Sequence, residues 1–180
     1  MEIRVCHRSA PISSQSVPRT PVSDIELQPA TDSDLDDVRS LLREYAASLA
    51  FPLDFQEFDR EVAEFPGAYA PPGGALLVAR TSGAVVACVA LRALSPEICE
   101  LKRLYVQPSA RGGGLGRLLV DAALAEARRL GYRRVRLDTV PGMETAQALY
   151  ERLGFGEIEP YTRNPIAGAR FLELDLGPLA

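Results

Sequence analysis

The chain has 180 residues and a formal net charge of −4, which suits one domain with a full core and disfavours a sequence-independent grip on nucleic acid or anionic lipid. Cys6, Cys88 and Cys99 are odd in number and widely spaced, and His7 is the lone histidine, so reduced thiols are expected and a metal site is not. No apolar run is long enough to cross a bilayer and no signal-peptide core is present, which predicts a cytoplasmic protein.

Residues 1–23 are rich in Ser, Pro, Arg and Thr and read as a flexible arm ahead of a single domain over 24–180. Residues 24–29 alternate as a strand with Ile25 and Leu27 on one face. Thr31 is placed as an N-cap, with Asp32, Asp34, Asp36 and Asp37 as a solvated, dipole-favoured first turn. Leu35, Val38, Leu41, Leu42, Tyr45 and Leu49 then recur at helical spacing. A second helix is expected over 55–65, closed by a Pro- and Gly-rich loop that runs to Gly74. Strands over 75–80, 84–94 and 97–106, joined by turns at Ser82-Gly83 and Ser95-Pro96, predict an antiparallel meander.

A glycine-rich turn follows the third of these strands. Gly112, Gly113, Gly114 and Gly116 strip side chains from a helix start, and bare N–H groups there form an anion site at the positive end of the helix dipole. The spacing fits neither the dinucleotide fingerprint nor the P-loop. The helix it opens turns Leu115, Leu118, Leu119, Ala122 and Leu130 inward and stops at Gly131, with Arg128 and Arg129 in its last turn. Val135, Leu137 and Thr139 alternate in a strand, so strand, crossover helix and strand form a parallel, right-handed unit. Ala146, Leu149, Tyr150 and Leu153 share a face of a further helix, stopped by Gly154, and strands follow over 156–160 and 169–176. The fold class is α/β of the α+β kind: a mixed, mostly antiparallel central sheet of about six to seven strands flanked by about four helices. The basic run Arg128, Arg129, Arg133, Arg134 and Arg136 reads as a helix C-terminus followed by a strand's solvent face, in preference to a site for an anionic partner.

Arg111-x-x-Gly114-x-Gly116 after a strand resembles the acetyl-CoA-binding motif of the GNAT family of N-acetyltransferases. The run Met143–Phe155 is similar to that family's second signature at Ala146, Leu149, Tyr150, Gly154 and Phe155, while Met143 stands where Asn is usual. The element order from about residue 24 to 176 is also similar to that family's. The resemblance implies an acetyl-CoA acyltransferase fold with acetyl-CoA as cosubstrate. Its diphosphate would be held by Arg111, Gly112, Gly113, Gly114, Leu115, Gly116 and Arg117. The strand Leu104, Tyr105 and Val106, together with Met143, would flank the rest of the donor, and the Val106 N–H would meet the thioester oxygen.

The same resemblance implies transfer of the acetyl group to a primary amine of a small molecule or peptide by direct attack. Tyr150 matches the family's general acid, and the strand before the turn is where its base lies. Glu100 is the best-placed acid there, ahead of Glu97, with Asp138 on the neighbouring strand in reserve. Each has a plainer alternative: Glu100 as a strand-face salt bridge to Lys102 or Arg103, Tyr150 as a core residue beside Leu149 and Leu153, and Arg111 and Arg117 as surface cations. A non-catalytic acyl-CoA-binding or regulatory module on the same fold is the rival function, and either a monomer or a homodimer is compatible. The acceptor would be set by the first two helices, the loop through Pro71 and Gly74, and the segment around Tyr161 and Asn164.

Overall fold

The computed structural model describes residues 25–49 and 57–178. Seven strands form one open sheet: β1 Ile25–Pro29, β2 Ala75–Thr81, β3 Ala84–Ala93, β4 Ile98–Val106, β5 Arg134–Thr139, β6 Gly156–Glu157 and β7 Arg170–Asp175. Their spatial order is β1-β2-β3-β4-β5-β7-β6, antiparallel throughout except between β4 and β5. Helices α1 Leu35–Ser48 and α2 Phe58–Ala63 cover one face, and α3 Leu115–Arg129 and α4 Glu144–Arg152 cover the other. This is the mixed, helix-flanked sheet that the element order implies. The expected arm over 1–23 and the start of the second helix at Phe55 lie outside the described residues.

Period-two alternation sorts the central strands between two cores. Leu77, Val89, Leu91, Leu101, Val135 and Leu137 pack on the stripe Leu115, Leu119, Ala123 and Ala127 of α3. Leu76, Val78, Cys88, Ala90 and Tyr105 meet Val38, Leu41 and Leu42 of α1 and Phe58 and Val62 of α2. Leu119 is fully buried. Its replacement by Ala is expected to cost about 2–5 kcal/mol, read by chemical denaturation.

Four local expectations change. Leu118 is exposed, because the buried stripe runs through Leu115, Leu119 and Ala123 and leaves Leu118 off it. Leu27 is exposed too, since β1 is an edge strand with β2 on one side. The acidic turn is not uniformly solvated. Asp34 is buried, ion-paired with Arg80 of β2, and accepts the Thr31 N–H at 2.7 Å and the Thr31 hydroxyl at 2.9 Å. The strand expected over 156–160 ends at Glu157, and the chain after it carries Tyr161 and Asn164 to residues of β4 and β5.

One feature of the sheet makes room for chemistry. β4 and β5 pair only at Ile98–Arg134, Cys99–Val135 and Glu100–Arg136. Beyond Glu100 the two strands part, while β5 remains paired to β7 along its length.

Candidate active site

The parting strands open a cleft of about 720 Å³, within the size range of small-molecule sites. A bulge in β4 shapes its wall. Cys88 pairs with Tyr105 and Ala90 with Lys102, so β4 carries one extra residue opposite Val89. Arg103 takes up that extra residue at φ 57°, a left-handed conformation that a non-glycine side chain holds only under constraint. The constraint is visible: Arg103 Nε and Nη2 donate to Glu61 at 2.6 and 2.7 Å, and its guanidinium lies over the Phe58 ring. Burial works against the Glu61 carboxylate, but Arg103 and the Tyr69 hydroxyl outweigh it and hold its carboxyl below the usual range.

Past the bulge, the Gln107 N–H donates to Val86 O at 2.9 Å. Alternation along an antiparallel ladder then turns the Val106 N–H and C=O away from β3 and into the cleft. Arg111 Nε reaches that carbonyl from the cleft side at 2.9 Å, with its guanidinium over the Tyr105 ring. The Tyr105 hydroxyl is turned elsewhere and donates to Glu44 of α1 at 2.9 Å.

At one end of the cleft α3 begins. Its N-cap is Gly114 at φ 83°, with no side chain to bond the first amides. A Ser, Thr or Asp cap would occupy the N–H groups that glycine leaves open. Among the described residues no protein acceptor meets the N–H groups from Gly112 to Arg117. The Arg111 N–H, by contrast, already donates to Pro108 O at 3.3 Å. The amide cradle therefore runs from Gly112 to Arg117 and is one residue offset from the 111–116 span of the motif. A Cβ at Gly114 or Gly116 would meet nothing within 4 Å, so the space over these amides is unfilled. Arg117 lines this end but is ion-paired with Asp121 at 2.8 Å. Arg152, which the motifs do not single out, lines the cleft as well. Open amides among cationic side chains fit a diphosphate.

Tyr150 meets the same cleft from α4, its ring edge-on to Phe155 at 5.6 Å. Its hydroxyl has no partner among the described residues. Burial, with Tyr45 and the Asp138 carboxylate adding to it, raises the phenol well above its ordinary value, so it stays protonated. Met143 lines the same wall at the N-cap of α4, with Thr139 Oγ1 3.9 Å from its sulfur. Asp138, at the end of β5, lines the cleft with a side chain 10 % exposed. Asn164 Nδ2 donates to one of its oxygens at 2.8 Å, and Lys102 Nζ stands 3.4 Å from the other.

The structure thus gathers Leu104, Tyr105, Val106, Arg111, Gly112, Gly114, Leu115, Gly116, Arg117, Met143 and Tyr150 around one cleft. Gly113 belongs to the turn without lining it, and Glu100 lies outside it. Glu100 is fully buried, and its oxygens accept from Arg92 Nε at 2.6 Å and the Tyr161 hydroxyl at 2.8 Å. The close salt bridge is therefore cross-strand, to the directly paired Arg92 of β3; the expected Lys102 contact is present but longer, at 3.8 Å, and Arg103 pairs with Glu61 instead. Tyr45 of α1 also lines the cleft. Its helical register with Leu41 and Leu42 marked it only as core, and no sequence signal distinguishes it.

Residues 35–155 match the model of the acetyltransferase (GNAT) family. The chain is 41% identical over 145 residues to an uncharacterised N-acetyltransferase of Schizosaccharomyces pombe, spanning 79% of this chain and 89% of that one. Its fold is similar to an acetyltransferase of that family from Staphylococcus aureus, with a TM-score of 0.71 at 19% identity over 85% of this chain and 99% of the other. It is also similar to an acetyltransferase from Salmonella typhimurium solved with acetyl-CoA, with a TM-score of 0.68 at 20% identity over 87% and 96% of the two chains. With an open amide cradle at the start of α3 and a protonated tyrosine across the same cleft, the chain belongs to the GNAT family of acetyl-CoA-dependent acyltransferases.

Proposed function

We propose that this protein moves the acetyl group of acetyl-CoA to a primary amine of a small molecule or peptide by direct attack, without an acyl-enzyme. One observation carries the reading: Gly112 and residues 114–117, whose amides are unpaired among the described residues, share one cleft with the inward-turned Val106 N–H and with Tyr150. Direct attack is supported by the two thiols among the described residues. Burial pushes both Cys88 and Cys99 up to about 12, which keeps them protonated, and neither lines the cleft.

Acetyl-CoA supplies an acyl group already activated as a thioester. The amides of 112–117 bind its diphosphate, and the Val106 N–H stabilises the carbonyl oxygen as charge gathers there. Asp138 takes the proton from the amine, directly or through a water, because among the described residues it is the carboxylate that lines the cleft. Tyr150 returns a proton to the departing sulfur. A thiol of pKa near 8.5 is already a fair leaving group. Tyr150→Phe is therefore expected to lower kcat by about 10²-fold or less, with acetyl-CoA affinity retained.

Glu100 holds the wall together. Glu100→Gln leaves Arg92 without its charge partner and is expected to cost about 1–3 kcal/mol in urea denaturation, discounted because Arg92 is a third exposed. Release of free CoA on mixing acetyl-CoA with a panel of amines tests the reading. Tight acetyl-CoA binding with no release on any amine would assign the cleft to a binding module.

A further inference from the structure

We infer that the acceptor is a free amino acid, whose carboxylate is received by Lys102 and whose amine is presented to Asp138. This rests on the amine-transfer reading above and names its substrate class. The observation behind it is a loose ion pair facing the cleft. Lys102 lines the cleft with a side chain only 8% exposed, and lysine is rarely so buried unless closely paired. Yet its Nζ lies 3.4 Å from Asp138 and 3.8 Å from Glu100, long beside the ~2.7–2.9 Å of a charge-assisted hydrogen bond.

The neighbouring acids are already satisfied. Arg92 and Tyr161 hold Glu100, and Asn164 holds the far oxygen of Asp138. The neighbouring cations are closely held as well: Arg103 by Glu61 at 2.6 Å and Arg136 by Glu173 at 2.6 Å. Lys102 is thus an ammonium with donor capacity to spare inside the acceptor half of the site.

A positive and a negative group side by side complement one molecule in particular: a zwitterion with its ammonium and carboxylate on the same carbon. The carboxylate completes the hydrogen bonding of Lys102. The amine lies against Asp138, which takes its proton. A polyamine would bring a second cation against Lys102, and a peptide N-terminus would bring a neutral amide in place of the carboxylate.

The test compares kcat/KM for each of the standard amino acids with that of its own carboxamide, on the full chain with acetyl-CoA. The best amino acid is expected to exceed its carboxamide by about 10- to 100-fold, the worth of one charge-assisted hydrogen bond. In Lys102→Met that ratio is expected to fall toward one, chiefly through KM. In Lys102→Arg, which keeps the charge, it is expected to persist. Calorimetry with acetyl-CoA checks that both variants are folded. A wild-type ratio near one, or a ratio unchanged in Lys102→Met, overturns the inference while amine transfer stands. Failure of every acid and every carboxamide to release CoA, while another amine of the panel does, likewise overturns the inference alone; failure of every amine overturns both.

Discussion

Gly114→Asp is expected to abolish measurable acetyl-CoA binding, with affinity falling by about 100-fold or more. A carboxylate some 5 Å from a diphosphate charge costs about 3 kcal/mol at an effective dielectric of 20, and the diphosphate carries more than one charge. The new side chain has room to point there, because a Cβ at Gly114 meets no atom within 4 Å. The variant also tests conformation, since Gly114 sits at φ 83°. Asn tolerates that region about as well as Asp but carries no charge. Gly114→Asn should therefore keep affinity within about tenfold of the wild type, the cost of a modest backbone strain. Isothermal calorimetry of the three proteins separates charge from shape. Equal affinity for Gly114→Asp and the wild type would remove the cradle and the donor geometry built on it.

Asp138→Asn is the second large effect. Loss of a positioned base costs about 10²- to 10⁴-fold in kcat/KM for the amine. Acetyl-CoA affinity should hold, since Asp138 belongs to β5 and the cradle is made of backbone amides at the start of α3. The pH profile gives the sign. An aliphatic amine is mostly charged at neutral pH and loses its proton unaided as pH rises. The Asn variant should therefore recover toward wild-type rates as pH climbs from neutral, with the gap between the two narrowing steadily. Glu100→Gln should show no such recovery, because its defect is in stability. The reverse pattern, a pH-rescued Glu100 variant and an unaffected Asp138 variant, would return the base to β4.

Much of the donor site is legible in the residues themselves, because it is local. A strand, four glycines within five positions and a helix start lie within one short stretch, and a backbone amide needs no partner from elsewhere to be an anion donor. Tyr150 is legible for a similar reason, since its place on α4 is fixed by helical spacing to Ala146 and Gly154. The rest of the cleft is not local. Lys102, Asp138, Tyr45 and Asn164 come from β4, β5, α1 and the loop after β6, and only the fold brings them to one cleft.

Glu100 shows the same division. Spacing along β4 offers Lys102 and Arg103 as partners, but side chains two apart on a strand compete with the residue directly across. Register between β3 and β4 gave Glu100 to Arg92. The bulge at Arg103 left one trace in the sequence. Leu101 and Leu104 both pack toward the α3 core although an unbroken strand would put residues three apart on opposite faces. What the chain determined alone was the order of its elements and the bare amides at the start of α3. The tertiary structure decided which carboxylate stays open to the cleft, because burial and ion pairing depend on what lies across the sheet, and that is set by register and crossover connections that no single segment contains.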